Sequence, residues 1–149
     1  MADLHDVPAL EVLAGIADAV IYSGRDGIIR LWNDGATAVF GFSDKDAIGQ
    51  SLDLIIPEKL RPAHWRGFDA AIERGATIGG RRTRLTKGLH KEPDRPLYVE
   101  MSFAVVTTSD GSVAGSVAIA RDVTERQLKA REDRKRTAQA QSASHESAS

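Results

Sequence analysis

Residues 60–74 carry apolar side chains at helical spacing, with a histidine among them. Four residues spaced three or four apart share one face of such a helix: Leu60, His64, Phe68 and Ala71. Gly75 follows the last turn and is typical of a helix C-cap. The pattern therefore predicts a helix over 60–74 in which the His64 imidazole points the same way as its apolar neighbours.

The residues before this helix predict a β-hairpin and several short helices. Two β-rich runs within 19–32 flank the pair Asp26-Gly27, which is a strong hairpin signal. The helices follow from apolar spacing and capping residues, and they are expected at 7–16, at 34–40 with Gly41 closing the helix, and between Ser43, which opens a capping box, and Gly49.

The residues after the predicted 60–74 helix predict three strands and a final helix. The strands are expected at 77–87 (with Gly79-Gly80 preceding or interrupting it), 97–106 and 113–121, the last two joined by a turn at 109–111. Helices segregated beside a hairpin-built sheet are typical of an α+β fold with a five-stranded antiparallel sheet. A helix is expected at 123–136. It has too few apolar residues at coiled-coil core positions to form a coiled coil by itself. The Ala/Gln/Ser-rich end at 137–149 is predicted to be disordered.

Composition narrows the class of protein. A chain of 149 residues is enough for one domain with a real core. Its formal net charge of −1 provides no global attraction to nucleic acid or to a membrane surface. It contains no cysteine, which excludes disulfides, thiolate metal sites and cysteine photochemistry. Neither a secretory signal nor a membrane-spanning apolar run is evident, so a cytoplasmic location is expected.

Several motifs in order along the chain closely resemble PAS sensory domains. They are Asp18-Ala-Val-Ile, Asp26-Gly-Ile-Ile, Trp32-Asn33-x-x-Ala36, Phe40-Gly-Phe-Ser43, Ile48-Gly49 and Arg121-Asp-Val-Thr-Glu-Arg126. The resemblance implies a PAS domain at 18–122, a flanking helix within 1–17 and a signalling helix at 123–136. The loop 87–96 departs from the family, because Lys91-Glu-Pro-Asp-Arg-Pro96 stands where many relatives have a short turn.

Within that family, the segment 56–64 looks like that of haem-binding PAS oxygen sensors. The resemblance implies that His64 is the proximal ligand of a haem b iron and that Arg84, on the following strand, is a distal hydrogen-bond donor. Arg82 is expected to share the face of Arg84. The candidate cofactor-binding residues are His64, Phe68, Arg82, Arg84, Met101 and Phe103.

Other interpretations of the same residues remain open. His64 fits equally well as a core histidine bonded to backbone. Arg82 and Arg84 suit a small acidic metabolite, since guanidinium groups bind carboxylates and phosphates through paired N–H donors, but they also suit a strand edge in water. Flavin is a further cofactor known in this family.

The function expected is therefore that of a sensor, or else of a cofactor-free dimerisation or docking module. The apolar stripe of the 7–16 helix fits packing on its own domain and a dimer contact equally well, and the second role predicts a homodimer through that helix and the start of the 123–136 helix. The chain contains no kinase, cyclase or DNA-binding motif, so a separate signalling protein such as a histidine kinase is the expected partner. No catalytic set or phosphate-loop spacing supports an enzyme.

Overall fold

A five-stranded antiparallel sheet forms the centre of the fold, in the strand order β2-β1-β5-β4-β3. The computed structural model describes residues 6–77 and 82–147. The strands are β1 (Ala19–Gly24), β2 (Ile29–Trp32), β3 (Arg84–Lys87), β4 (Tyr98–Thr107) and β5 (Val113–Asp122). Every pairing is antiparallel. The predicted α+β class and antiparallel sheet are confirmed.

The helices between β2 and β3 cover one face of this sheet. They are α2 (Asp34–Phe40), α3 (Asp44–Ala47), two 3-10 turns at Leu52–Ile55 and Glu58–Leu60, and α4 (Arg61–Arg74). Buried residues of the sheet and the helices share one hydrophobic core, which includes Ile21, Trp32, Phe40, Phe68, Val99 and Ala120. The core therefore lies between α4 and the middle strands.

Capping chemistry sets the ends of these helices. The Asn33 side chain accepts from the Ala36 N–H at the start of α2, and Gly41 closes that helix with φ 85°. Ser43 accepts from the Asp46 N–H and opens α3, which ends one residue before Ile48, ahead of the predicted stop at Gly49. Gly75 ends α4 with φ 79°, as predicted. Glycine favours this left-handed conformation, and the chain turns there.

Other predicted elements differ in the structure as well. The first helix, α1, is shorter than 7–16 and spans Ala9–Ala14, without a buried residue to hold further turns. The predicted strand 77–87 is reduced to β3, with residues 82 and 83 outside it and Gly79-Gly80 outside the described residues. An edge strand has one neighbour only, and glycines weaken extended structure. Leu60, predicted to begin the 60–74 helix, lies instead in the 3-10 turn before α4 and is 39% exposed.

The final helix, α5 (Thr124–Ser147), begins at the end of β5 and continues beyond the predicted limit of residue 136. The region predicted as a disordered tail is therefore helical as far as Ser147. Its sequence contains no glycine or proline and is rich in Ala, Arg, Lys, Glu and Gln, which favour helix. Within the described residues, no helix combines the length and the apolar content needed to cross a bilayer.

Candidate functional site

His64 lies on α4 with its ring among aromatic side chains. Its ring centroid is 4.7 Å from that of Trp65, edge to face, and 5.9 Å from that of Phe68. Phe68 is buried, whereas His64 itself is half-buried. The predicted orientation of His64 toward its apolar neighbours is therefore present.

The His64 Nδ1 atom is buried and has no hydrogen-bond partner among the described residues. Burial lowers the pKa of His64 below its ordinary value of 6.5, while the charges of Asp53 and Asp69 oppose that shift. The imidazole is thus neutral at neutral pH, which is the form that coordinates metals. An unpaired buried nitrogen costs about 1–3 kcal/mol, so a partner for this atom would be stabilising.

Phe68 connects this part of α4 to β4. Its ring lies 6.1 Å from the ring of Phe103, and both Met101 and Phe103 pack against the hydrophobic core. Met101 and Phe103 are two residues apart on one strand and therefore face the same side of the sheet. The structure brings His64, Phe68 and Phe103 into one aromatic row, with Met101 beside it.

The two arginines of the predicted site, Arg82 and Arg84, are both exposed. Arg84 is opposite Met101 in the β3–β4 register and so projects from the same face of the sheet, but it is exposed. Arg82 is exposed and lies outside the strand. Neither forms an ion pair within the described residues. Within the described residues, no hydrogen bond, ion pair or ring contact joins Arg82 or Arg84 to His64, so their place in the site stays a prediction.

The sequence did not predict the contacts that hold α4, and with it His64, in position. The Trp65 Nε1–H donates to Asp53 Oδ1 over 2.7 Å, and Arg61 donates to the carbonyls of Ile56 and Asp53 over 3.0 and 3.2 Å. The Trp65 ring also lies against Gly27, where an added Cβ would be 2.4 Å from it. These contacts join α4 to the first 3-10 turn and to the β1–β2 turn. The Trp65–Asp53 bond joins residues 12 positions apart in different elements, and the periodicity of a single helix does not predict such a bond.

The chemistry available at this site is that of a single neutral imidazole in an apolar wall. Among the described residues, no group of three His, Asp or Glu side chains is placed to hold a bare metal ion. An imidazole with an unpaired buried nitrogen does fit a ligand that supplies its own remaining coordination, as a haem iron does. The residues on the His64 side thus fit that cofactor, while no distal donor stands opposite His64 in the contacts described above.

Comparison with known proteins identifies the family. Residues 13–128 match the family described as PAS fold, which is most of the chain. The chain therefore belongs to the PAS fold family, whose sensory domains its motifs resemble. The match confirms that resemblance and agrees with the five-stranded sheet.

Individual relatives cover different parts of the chain. The sensor protein FixL of Bradyrhizobium diazoefficiens is 40% identical over 53 residues, which are 36% of this chain and 10% of FixL. A PAS domain from Colwellia psychrerythraea has a TM-score of 0.68 at 22% identity, covering 78% of this chain and 95% of that one. An RNA-binding light-oxygen-voltage receptor has a TM-score of 0.68 at 16% identity, covering 93% and 40%. The likeness to the Colwellia domain and to the light-oxygen-voltage receptor shows a shared fold and nothing more.

Proposed function

We propose that this chain is a sensory PAS module that binds a small ligand against His64, with haem b as the leading ligand. The observation that carries the proposal is the buried, unpaired Nδ1 atom of His64. Native proteins rarely leave a buried polar atom without a partner, and an exception at the wall of a sensor-type fold points to a ligand. The partial match to a sensor protein supports the same class of function.

The residues of the aromatic row have separate tasks in this proposal. His64 presents a neutral imidazole and holds the ligand, while Asp53 and Trp65 keep α4 in place. Phe68, Met101 and Phe103 supply an apolar wall that excludes water. A bound haem would supply an iron centre for a diatomic gas or for an electron.

Ligand entry offers a route for the signal. Phe68 and Phe103 are in ring contact, so a ligand inserted between α4 and β4 has to separate those rings. Strand β4 is joined to the start of α5, because the Val123 N–H donates to the Tyr98 carbonyl over 2.9 Å and Arg126 forms an ion pair with Glu100. A displacement of β4 would therefore reach α5 and a separate signalling protein, such as a histidine kinase.

The test is haem reconstitution of the purified chain, followed by visible spectroscopy. Wild type should develop a Soret band, and His64→Ala should abolish it. His145→Ala is the matched control, since His145 is exposed on α5 and should leave the band unchanged. Failure of wild type to take up haem, or a Soret band that survives in His64→Ala, would contradict the haem assignment.

A second candidate function is cofactor-free dimerisation, and exposed apolar residues of the N-terminal segment favour it. Val7, Leu10 and Val12 are 48%, 69% and 53% exposed. Burying such side chains against a second copy stabilises a homodimer through the hydrophobic effect. Sedimentation at micromolar protein should show a dimer that Leu10→Glu converts to a monomer, whereas Leu128→Glu tests the contribution of α5. A wild-type monomer would contradict this candidate.

A further inference from the structure

Strand β3 lies at the edge of the sheet, beside the basic residues that the His64 site does not use. The sheet ends with β3, which pairs with β4 on one side and with no other strand of the described residues. Edge strands carry backbone N–H and C=O groups that can pair with another chain. This edge can therefore accept a further extended segment.

The register shows which backbone groups of β3 face outward. The Gly88 N–H donates to the Leu97 carbonyl over 3.0 Å, and Gly88 continues the register that pairs Thr86 with Val99. In an antiparallel ladder, hydrogen-bonded positions alternate. The backbone groups of Arg84 and Thr86 thus face β4, and those of Leu85 and Lys87 face away from the sheet.

The side chains along this edge are basic and accessible. Arg82 and Arg84 are exposed and lack an ion pair within the described residues. Leu85, which follows the two arginines, is 50% exposed. Lys87 is exposed too, and its Nζ lies 5.7 Å from the Tyr98 ring centroid. Charged residues on an edge discourage self-pairing, because two copies would bring like charges together. The same charges attract an acidic strand.

We propose that β3 is a docking site for an extended acidic segment of a partner protein, which adds to the sheet as a sixth strand. Main-chain bonds to Leu85 and Lys87 would provide affinity, and carboxylates facing Arg82 and Arg84 would provide specificity. The whole chain has a formal net charge of −1, so its field does not favour a nucleic acid, which requires a broad basic surface. Along the described part of this edge the charged side chains, Arg82, Arg84 and Lys87, are all basic, which favours an acidic strand.

The test measures fluorescence anisotropy of a labelled peptide of alternating Glu and Val, titrated with the full chain. Wild type should bind it, and should not bind a Lys–Val peptide of the same length. Arg82→Glu with Arg84→Glu should weaken binding at least about tenfold, because two attractive pairs become repulsive. Arg134→Glu with Lys135→Glu is the matched control on exposed residues of α5 and should bind as wild type does.

A peptide with the same side chains but N-methylated central backbone nitrogens separates strand addition from charge attraction. It should lose binding, since it cannot pair with the edge of β3. Four outcomes would overturn the proposal: no binding to wild type, equal losses in the control variant, undiminished binding of the N-methylated peptide, or tighter binding of a single-stranded oligonucleotide than of the Glu–Val peptide. Circular dichroism of each variant verifies that it is folded.

Discussion

Two polar side chains with buried atoms, those of Asn33 and His64, have opposite surroundings in this fold. Asn33, only 5% exposed, forms five hydrogen bonds: its Oδ1 accepts from the N–H groups of Val20 and Ala36, and its Nδ2 donates to the carbonyls of Leu13, Ile16 and Asp18. His64 Nδ1 has no hydrogen bond within the described residues. A buried amide whose polar atoms all have partners holds the scaffold together, whereas a half-buried imidazole with an unpaired buried nitrogen is a candidate for binding.

The difference arises from what each side chain faces. Asn33 stands where the chain leaves β2, next to backbone groups of the segment before β1 and of the first turn of α2 that need partners. His64 faces the aromatic rings of Trp65 and Phe68. Three variants test this contrast.

The largest effect is expected for Asn33→Ala. Removing the side chain leaves N–H groups and carbonyls around it unpaired, and we expect a loss of about 3–4 kcal/mol in the free energy of unfolding, measured in urea. Ser43→Ala is the control, because Ser43 is also an N-cap but accepts a single bond, from the Asp46 N–H, at the surface. That change should cost about 1 kcal/mol. Equal losses in both variants would contradict the scaffold role of Asn33.

Gly27→Ala tests the packing that holds α4 beside the hairpin. Gly27 has φ 75°, and an added Cβ would lie 2.4 Å from the Trp65 ring. We expect a loss of about 1–3 kcal/mol and a change in tryptophan emission as Trp65 leaves Asp53. Gly49→Ala shares the positive φ, 92°, but its Cβ would meet no atom within 4 Å. If the two variants lose the same stability, the Trp65 contact contributes nothing beyond the backbone strain.

The smallest effect on stability is expected for His64→Phe. Replacing an unpaired polar group by an apolar ring of similar size should change the free energy of unfolding by less than about 1 kcal/mol near pH 8. The pH dependence should differ more. Because the pKa of His64 is lowered in the folded state, the unfolded chain binds the proton first, and wild type loses stability as the pH falls below 6.5.

Urea unfolding between about pH 8 and pH 5 checks this sign, since histidines titrate in that range. The slope of stability with pH should be shallower in His64→Phe than in wild type. His145→Gln, at an exposed position of α5, should keep the wild-type slope. An unchanged slope in His64→Phe would show that His64 is not held neutral by burial.

Local chemistry in the sequence was sufficient to predict both ends of α2 and the C-terminal end of α4, but not the ends of α1 or the extent of α5. Asn33 and Gly41 set α2, and Gly75 sets the end of α4, because capping bonds and left-handed backbone involve neighbouring residues only. The shared face of His64 and Phe68 likewise follows from the helical period. The β-rich runs predicted an antiparallel sheet, the motifs added the resemblance to PAS domains, and the structure and the family match confirm both.

The tertiary structure alone decided which polar groups have partners. Asn33 bonds to carbonyls up to twenty residues away, and Trp65 bonds to Asp53 across two elements. The resemblance to haem sensors implied that Arg84 is a distal donor, and the structure adds that Arg84 is exposed on β3. The sequence also could not show that Nδ1 of His64 lacks a partner. These hydrogen bonds and the burial of side chains depend on atoms that are distant along the chain. Helix caps and helical periodicity depend on residues that are close in sequence.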